Sequence, residues 1–463
     1  MKKYKKIAQI IKSKILNGEW KAGEKVLSLR HLTRKYKVSN NTIMLALRNL
    51  KDEGYLFSVP AVGYFVKEKN EHKVDKHMKT ILKSYYNAET KSLGAINFSN
   101  TELLSKYMSD NFISFLFKLY KKQEDSSKHL TYLCGNPSLI STLSDFLEKD
   151  NIFVFKENII ITSNPQLTIE MINRMFSEKN KLTVALSNSS HYNIISIFEK
   201  LVNIKEIELL EDGWNFKEFE KLLSNEKIDF VYVTPNFHEP SGICWSKTKK
   251  NLLLELAEKY DFYIIEEDNY SSLFCEEEYI SLKSLERIGK ERVFYIRDFS
   301  ALLGSVVGIT CVIIPPKFRE NFLVEKAIFS ISPSKIQQKI LENIITSGYL
   351  EFFLEKYRKI LFHRTNYLIN MLKEISELDI VKLPKGGFFI WLKLSSEIDE
   401  NTFYELCLKN NLLILPGYIF YKDIKNEQKF RLSFACTSIN EIKLGINKIK
   451  EIIKSLKTNN HYP

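Results

Sequence analysis

The segment Val293–Pro315, VFYIRDFSALLGSVVGITCVIIP, limits the fold more than any other part of the chain. Val293, Phe294, Tyr295 and Ile296 are β-branched or aromatic in unbroken succession and read as a buried strand. The run ends at Arg297-Asp298-Phe299-Ser300, read as a loop, and a second apolar run follows Gly304-Ser305. No arginine or lysine lies between Asp298 and Lys317, so this turn carries no cationic side chain. From Ile96 onward, helical and strand-like patterns alternate at the spacing of a mostly parallel sheet, which predicts an α/β body.

A length of 463 residues allows roughly two to four domains and a large core. The hydrophobic fraction of 44% and charged fraction of 27% are those of an ordinary globular chain. No apolar run is long enough for a membrane helix, and the basic opening MKKYKKIAQIIKSKI has helical apolar spacing instead of a signal-peptide core. Six dispersed cysteines without a C-x-x-C and eight scattered histidines argue against a disulfide framework or a metal site. The expected location is the cytoplasm, with no membrane partner. The net charge of +12 is concentrated: residues 1–70 hold sixteen Lys/Arg against five Asp/Glu. A basic block on one small domain suits a phosphate-backbone binder, so double-stranded DNA is the expected partner.

Within that block, Tyr4–Leu16 reads as an amphipathic helix with Ile7, Ile10, Ile11 and Ile15 on one stripe, stopped by Asn17-Gly18. Ser28 caps a second helix carrying Leu29, Leu32 and Tyr36, and Ser39 caps a third with Ile43, Leu47 and Leu50 facing inward and Gly54 as its stop. Two strand-like pieces, Tyr55–Ser58 and Tyr64–Val66, follow. Three helices and a hairpin predict a winged helix-turn-helix over 1–68. The wording LSLRHLTRKYKVSNNTIMLALRNLKDEGYLFSVPAVGYFV resembles the DNA-binding domain of the GntR family. That family's L-P-S-x-R appears as Leu27-Ser28-Leu29-Arg30 after Val26, its V-S-R-x-T as Val38-Ser39-Asn40-Asn41-Thr42, and its wing glycine as Gly63. Arg30 can reach a guanine edge, Asn40, Asn41 and Thr42 open the recognition helix, and Ser28 and Ser39 can hold phosphates.

Residues 69–94 are charged and poor in apolar residues and read as a linker, with a helical patch at Met78, Ile81, Leu82 and Tyr85. The remainder, 95–463, resembles the aminotransferase-like domain of MocR-type GntR regulators. The landmarks are Tyr132 with Gly135, Thr162-Ser163-Asn164-Pro165-Gln166, Thr234-Pro235, Pro240-Ser241-Gly242 and Glu266–Phe274, followed by Phe299-Ser300, Gly386-Gly387-Phe388, Leu415-Pro416-Gly417 and Phe430-Arg431-Leu432. The resemblance implies a fold-type I body with a smaller C-terminal α+β subdomain. It also implies a homodimer, because sites of that fold are built between two subunits.

It further implies a cofactor site for pyridoxal phosphate, and here the sequence departs from the pattern. The Schiff-base lysine position is Ala301, beside Ser300, which removes the amine that attacks the cofactor aldehyde. The phosphate-binding hydroxyl position is Asp298, the arginine position is Gly308, and the helix-start turn is Ser163-Asn164-Pro165-Gln166, where Pro165 has no N–H. The asparagine for the ring hydroxyl is Glu239. Asp268 is the expected acid for the ring nitrogen, with Glu267 as the choice one register away. Tyr270 would reach the ring oxygen, Tyr192 would stack on its face, and Arg431 would bind a ligand carboxylate.

These departures predict a regulator without catalytic residues, whose aminotransferase-like domain dimerises and can take an amino acid or carboxylate effector. Pyridoxal phosphate would bind only without a lysine aldimine. Two alternatives stay open: a regulator responsive to the non-covalent cofactor or to an amino acid, and an architectural DNA-binding dimer. An active transaminase fused to a DNA-binding domain is disfavoured by Ala301, since turnover uses the lysine as general base.

Overall fold

The computed structural model describes residues 3–16, 19–20, 23–52, 55–59, 62–66, 82, 94–101, 133–176, 182–274, 280–304, 307–329, 332–423 and 426–459. Two compact units, Met1–Lys76 and His77–Pro463, divide the chain. The linker expected over 69–94 lies almost wholly outside the described residues, as do Tyr132 and the helix stops at Asn17-Gly18 and Gly54.

In the first unit, helices Lys3–Leu16, Leu29–Tyr36 and Asn40–Asp52 precede an antiparallel hairpin, Leu56–Val59 with Gly63–Val66. Most of the stripe residues read from the sequence form its core: Ile7, Ile11, Leu32, Ile43, Leu47 and Leu50 are buried together with Leu56 and Val66 of the hairpin, whereas Ile10, expected on the first stripe, is exposed. Lys37, in the left-handed region at φ 49°, ends the second helix and turns the chain into the third.

The second unit is built on a seven-stranded sheet. Its spatial order is Ile159–Thr162, Thr310–Ile313, Val293–Asp298, Tyr263–Glu267, Phe230–Val233, Thr183–Ser187 and Asn203–Ile207. Thr310–Ile313 runs antiparallel to both of its neighbours, and every other pairing is parallel. The central strands are buried on both faces, which explains their unbroken apolar runs. One apolar cluster includes Val231, Ile264, Tyr295 and Cys311, and the other includes Tyr232, Ile265, Phe294 and Val312, so alternate residues of each strand feed opposite faces. A smaller antiparallel sheet of Leu378–Ile380, Phe389–Leu394, Lys429–Ser433 and Leu415–Pro416 forms the C-terminal part. Ile96–Asn97 pairs in parallel with Leu412–Leu413, which fixes the start of the unit against its end.

Strand Val293–Asp298 runs two residues further than the sequence indicates, and the expected loop becomes a helical turn, Ser300–Leu303. Arg297 stays in the strand because its guanidinium, 1% exposed, pairs with Asp150, bonds Ser272 and lies 4.8 Å from the Phe146 ring centroid. Among the described residues no helix is long and apolar enough to cross a membrane, and no group of side chains suits a metal ion.

Candidate functional site

The first unit presents a polar surface at the start of its second and third helices. Ser28 Oγ accepts His31 N at 3.3 Å, so it caps the second helix as expected, and Arg30 is exposed one residue inside it. Ser39 Oγ lies 3.4 Å from Thr42 N and 2.9 Å from Thr42 Oγ1. Thr33 Oγ1 donates to Asn40 Oδ1 at 2.8 Å, which ties the second helix to the opening of the third and sets the angle between them. Asn40 and Asn41 are exposed, and Gly63 begins the wing strand at φ +136°. The structure adds Met44, Leu45 and Arg48, all exposed and on the same helical face as Asn40 and Asn41. Their spacing of three and four from the two asparagines was the available signal. Exposed apolar side chains beside polar ones suit thymine methyls next to base-edge donors and acceptors.

In the second unit a cavity of about 610 Å³ lies beyond the carboxyl ends of the parallel strands, the usual ligand position of an open α/β sheet. Strand-end geometry brings Glu267, Asp298, Thr234 and Asn164 to its wall. Of the residues expected there, Asn164, Gln166, Tyr192, Glu239, Tyr270, Asp298, Ser300, Ala301 and Arg431 all line it. Tyr192 stacks on His191 at 4.4 Å between centroids, and Tyr270 stands edge-on to Phe388 at 5.0 Å and Phe389 at 5.3 Å. The residues just after the Ile96–Asn97 pairing region also matter: Ser99, Asn100 and Thr101 join Asn97 on the wall.

Two of the expected residues stay outside the cavity. Asp268 does not reach the cavity; its carboxylate accepts Asn236 Nδ2 at 3.0 Å and Tyr295 OH at 3.1 Å behind the wall. Glu267 faces the cavity in its place, accepting Tyr232 OH and Asn269 Nδ2, each at 2.5 Å. Gly308 does not line the cavity either; it lies at φ +51°, a left-handed conformation that favours glycine over the arginine of the pattern.

Arg431 reaches the wall but is not open to a ligand carboxylate. One guanidinium nitrogen pairs with the Glu239 carboxylate and the other donates to the Ser99 carbonyl, and the side chain is 1% exposed. Glu239 also lies 3.8 Å from His191 Nε2. His191 Nδ1 accepts Asn193 N at 3.2 Å as a helix cap, and burial holds its pKa below the ordinary value, so the ring is neutral at physiological pH. Burial pushes the Glu267 carboxyl up to about 7, with Asp298 and Glu239 adding to the shift. The Asp298 carboxyl is also raised by burial, against the bonds it accepts from Ser300 N at 3.2 Å, Ser300 Oγ at 2.8 Å and Thr310 Oγ1 at 2.9 Å.

This donor set does not fit pyridoxal phosphate. The described lining contains no lysine, so no amine meets the aldehyde. A phosphate dianion needs unshared donors, yet the Ser300 and Thr310 donors serve the Asp298 carboxylate. The nearby helix starts at Pro165, which has no N–H, and Asn164 Oδ1 accepts Leu167 N at 2.8 Å, so that terminus is capped from within the chain. The next arginine along the strand, Arg297, is committed to Asp150 and Ser272.

Residues 118–449 match the family described as aminotransferase class I and II, and residues 3–66 match the bacterial regulatory proteins of the gntR family. The HTH-type transcriptional regulator NorG of Staphylococcus aureus (strain NCTC 8325 / PS 47) is 25% identical over 451 residues, 93% of this chain and 100% of its own. An uncharacterized HTH-type transcriptional regulator of Bacillus subtilis (strain 168), YdfD, is 26% identical over 471 residues, 98% and 97% of the two chains. Among solved structures, the multiple substrate aminotransferase of Thermococcus profundus superposes with a TM-score of 0.74 at 20% identity, covering 83% of this chain and 98% of that one. The kynurenine aminotransferase of Pyrococcus horikoshii gives 0.74 at 24% identity over 84% and 97%. At these identities the likeness to the enzymes is one of fold.

Proposed function

The chain belongs to the aminotransferase class I and II family and, with a gntR-family domain ahead of that body, is a MocR-type transcriptional regulator; we propose that its aminotransferase-like unit reads a ligand without aldimine chemistry and pairs two copies on DNA. The carrying observation is that Ala301 stands at the foot of a cavity whose anion-binding donors are already occupied by Asp298 and Glu239. Among the described residues no lining side chain offers an amine and the cradle donors are taken, which argues against both covalent attachment and strong non-covalent retention of the cofactor. No residue is assigned a catalytic role.

DNA recognition is assigned to Arg30, Asn40, Asn41, Thr42 and the newly found Met44, Leu45 and Arg48, with Ser28, Ser39 and Gly63 at phosphate-facing turns. Two such readers in a homodimer would address paired half-sites. Arg431 offers a route from ligand to reader, because it holds Ser99 in the segment by which the chain enters the body. A ligand that shifts Arg431 or Glu239 would release or tighten that segment, and only a ligand with different affinity for the two arrangements would change DNA binding. The test is the visible spectrum of the purified protein with pyridoxal phosphate, run beside footprinting on its own upstream DNA. A colourless protein that protects paired sites is expected. A band that borohydride fixes would put the cofactor back in the cavity and end this reading.

A further inference from the structure

The wall of the cavity sorts its charges unevenly. Glu239, Glu267 and Asp298 all line it, against one permanent cation among the described residues, Arg431. Arg431 and Glu239 satisfy each other within the wall. That leaves Glu267 and Asp298, whose partners among the described residues are neutral donors: Tyr232 OH and Asn269 Nδ2 for the first, Ser300 and Thr310 for the second. Neutral donors solvate a carboxylate without cancelling its charge. Four aromatic side chains, Tyr192, Tyr232, Phe237 and Tyr270, line the same space, and aromatic faces attract cations as carboxylates do. One further feature points to a ligand: Arg431 Nε, on a side chain 1% exposed, has no hydrogen-bond partner among the described residues. A buried donor of this kind calls for an acceptor, and its guanidinium already has a carboxylate, so a neutral oxygen suffices.

Resting on the reading of this body as a ligand-responsive unit, we propose that the cavity binds an organic cation: a small amine or quaternary ammonium carrying an aromatic or alkyl body and a neutral oxygen acceptor. An aminotransferase-type site is arranged for anions, a phosphate and an α-carboxylate. Here both anion positions are filled by side chains of the chain itself, and what remains attracts the opposite charge. The volume of about 610 Å³ accommodates a molecule of that size.

The charge state of the wall gives an independent handle. The groups facing Glu267 are Tyr232 on the neighbouring strand, Asn269 and Tyr270 just beyond the end of its own, Asp298 on the other neighbour, and Glu239 across the cavity with its partner Arg431. With its carboxyl raised to about 7, Glu267 is partly protonated in the ligand-free protein at neutral pH. An arriving cation favours the ionised form, so binding releases a proton and affinity rises as pH increases toward and through about 7.

The experiment is calorimetric titration of the full-length protein with choline, tyramine and 3-(4-hydroxyphenyl)propionate, the last being the carboxylate counterpart of tyramine. Titrations with choline and tyramine are repeated in buffers of different ionisation enthalpy. Saturable binding of a cation with proton release, and none of the carboxylate, is expected. Glu267→Gln should weaken the cation at least tenfold, and Glu239→Gln should weaken it while admitting the carboxylate to the freed Arg431. Since either substitution can disturb folding, the proton release on the unaltered protein stands as a separate check. Preferred binding of the carboxylate overturns the cation assignment and leaves a ligand-reading body. Binding of none of the three overturns both, and a cation bound without proton release removes Glu267 from the site.

Discussion

A lysine introduced at position 301 would bring an amine to the cavity but no cradle, because Ser300 N, Ser300 Oγ and Thr310 Oγ1 already serve Asp298. Ala301→Lys is therefore expected to give no stable adduct with pyridoxal phosphate, read as the absence of a borohydride-fixed visible band. Glu267 supports a second prediction. Its folded pKa of about 7 lies above the ordinary 4.5, so between those values the folded chain holds the extra proton and stability falls as pH rises. Glu267→Gln should flatten that part of the stability-against-pH curve measured by urea unfolding. The loss of the lysine was legible in the sequence as a single letter. The choice between Glu267 and Asp268 was not, because adjacent residues at a strand end point to opposite sides and a slip of one exchanges cavity for interior. Lys250 marks the difference: Glu266 and Asp268 both act on its charge behind the wall. The pairing of Arg431 with Glu239 was invisible for another reason, since 192 residues separate the partners.

The helices and turns of the DNA-binding unit followed from apolar stripes and capping residues, and the hairpin from its β-branched and aromatic pieces. The breadth of the recognition face did not, because Met44 and Leu45 look like core residues until the third helix is set in place and leaves them 50% and 51% exposed. Arg30→Ala should weaken specific operator binding by about 1–3 kcal/mol and relax preference at one base pair, as measured by binding to a set of single-base operator variants. An equal loss on all sequences would make Arg30 a phosphate contact. In the body, Gly386 is held to glycine by crowding: an added Cβ would lie 2.5 Å from Phe237 Cε1 and 2.6 Å from the Leu273 carbonyl. Because one of those neighbours is backbone, Gly386→Ala should cost at least about 1–3 kcal/mol, seen as a lower thermal midpoint. The strand–turn–strand around position 301 was legible in outline. Its extension to Asp298 was not, since it depends on Asp150 receiving Arg297 across 147 residues.

At the scale of the molecule, paired DNA readers require paired bodies, so the 54.3 kDa chain should scatter light as a species of twice its mass at working concentration. A monomer would remove the half-site reading. The basic block and the alternating α/β pattern made the two-part organisation legible from sequence. The cavity contacts were not, because they join residues from both ends of the body. Arg431 holds Ser99 and Glu239 together, so the cavity cannot close until position 431 has been made. The DNA reader, by contrast, has its own core within the first 66 residues. At a translation rate of about 5–20 residues per second, the nascent chain spends roughly 20–70 s with its first unit complete and its cavity unmade. In that interval the polypeptide is a winged-helix unit without its cavity, and the strand that carries Arg431 is what completes the wall.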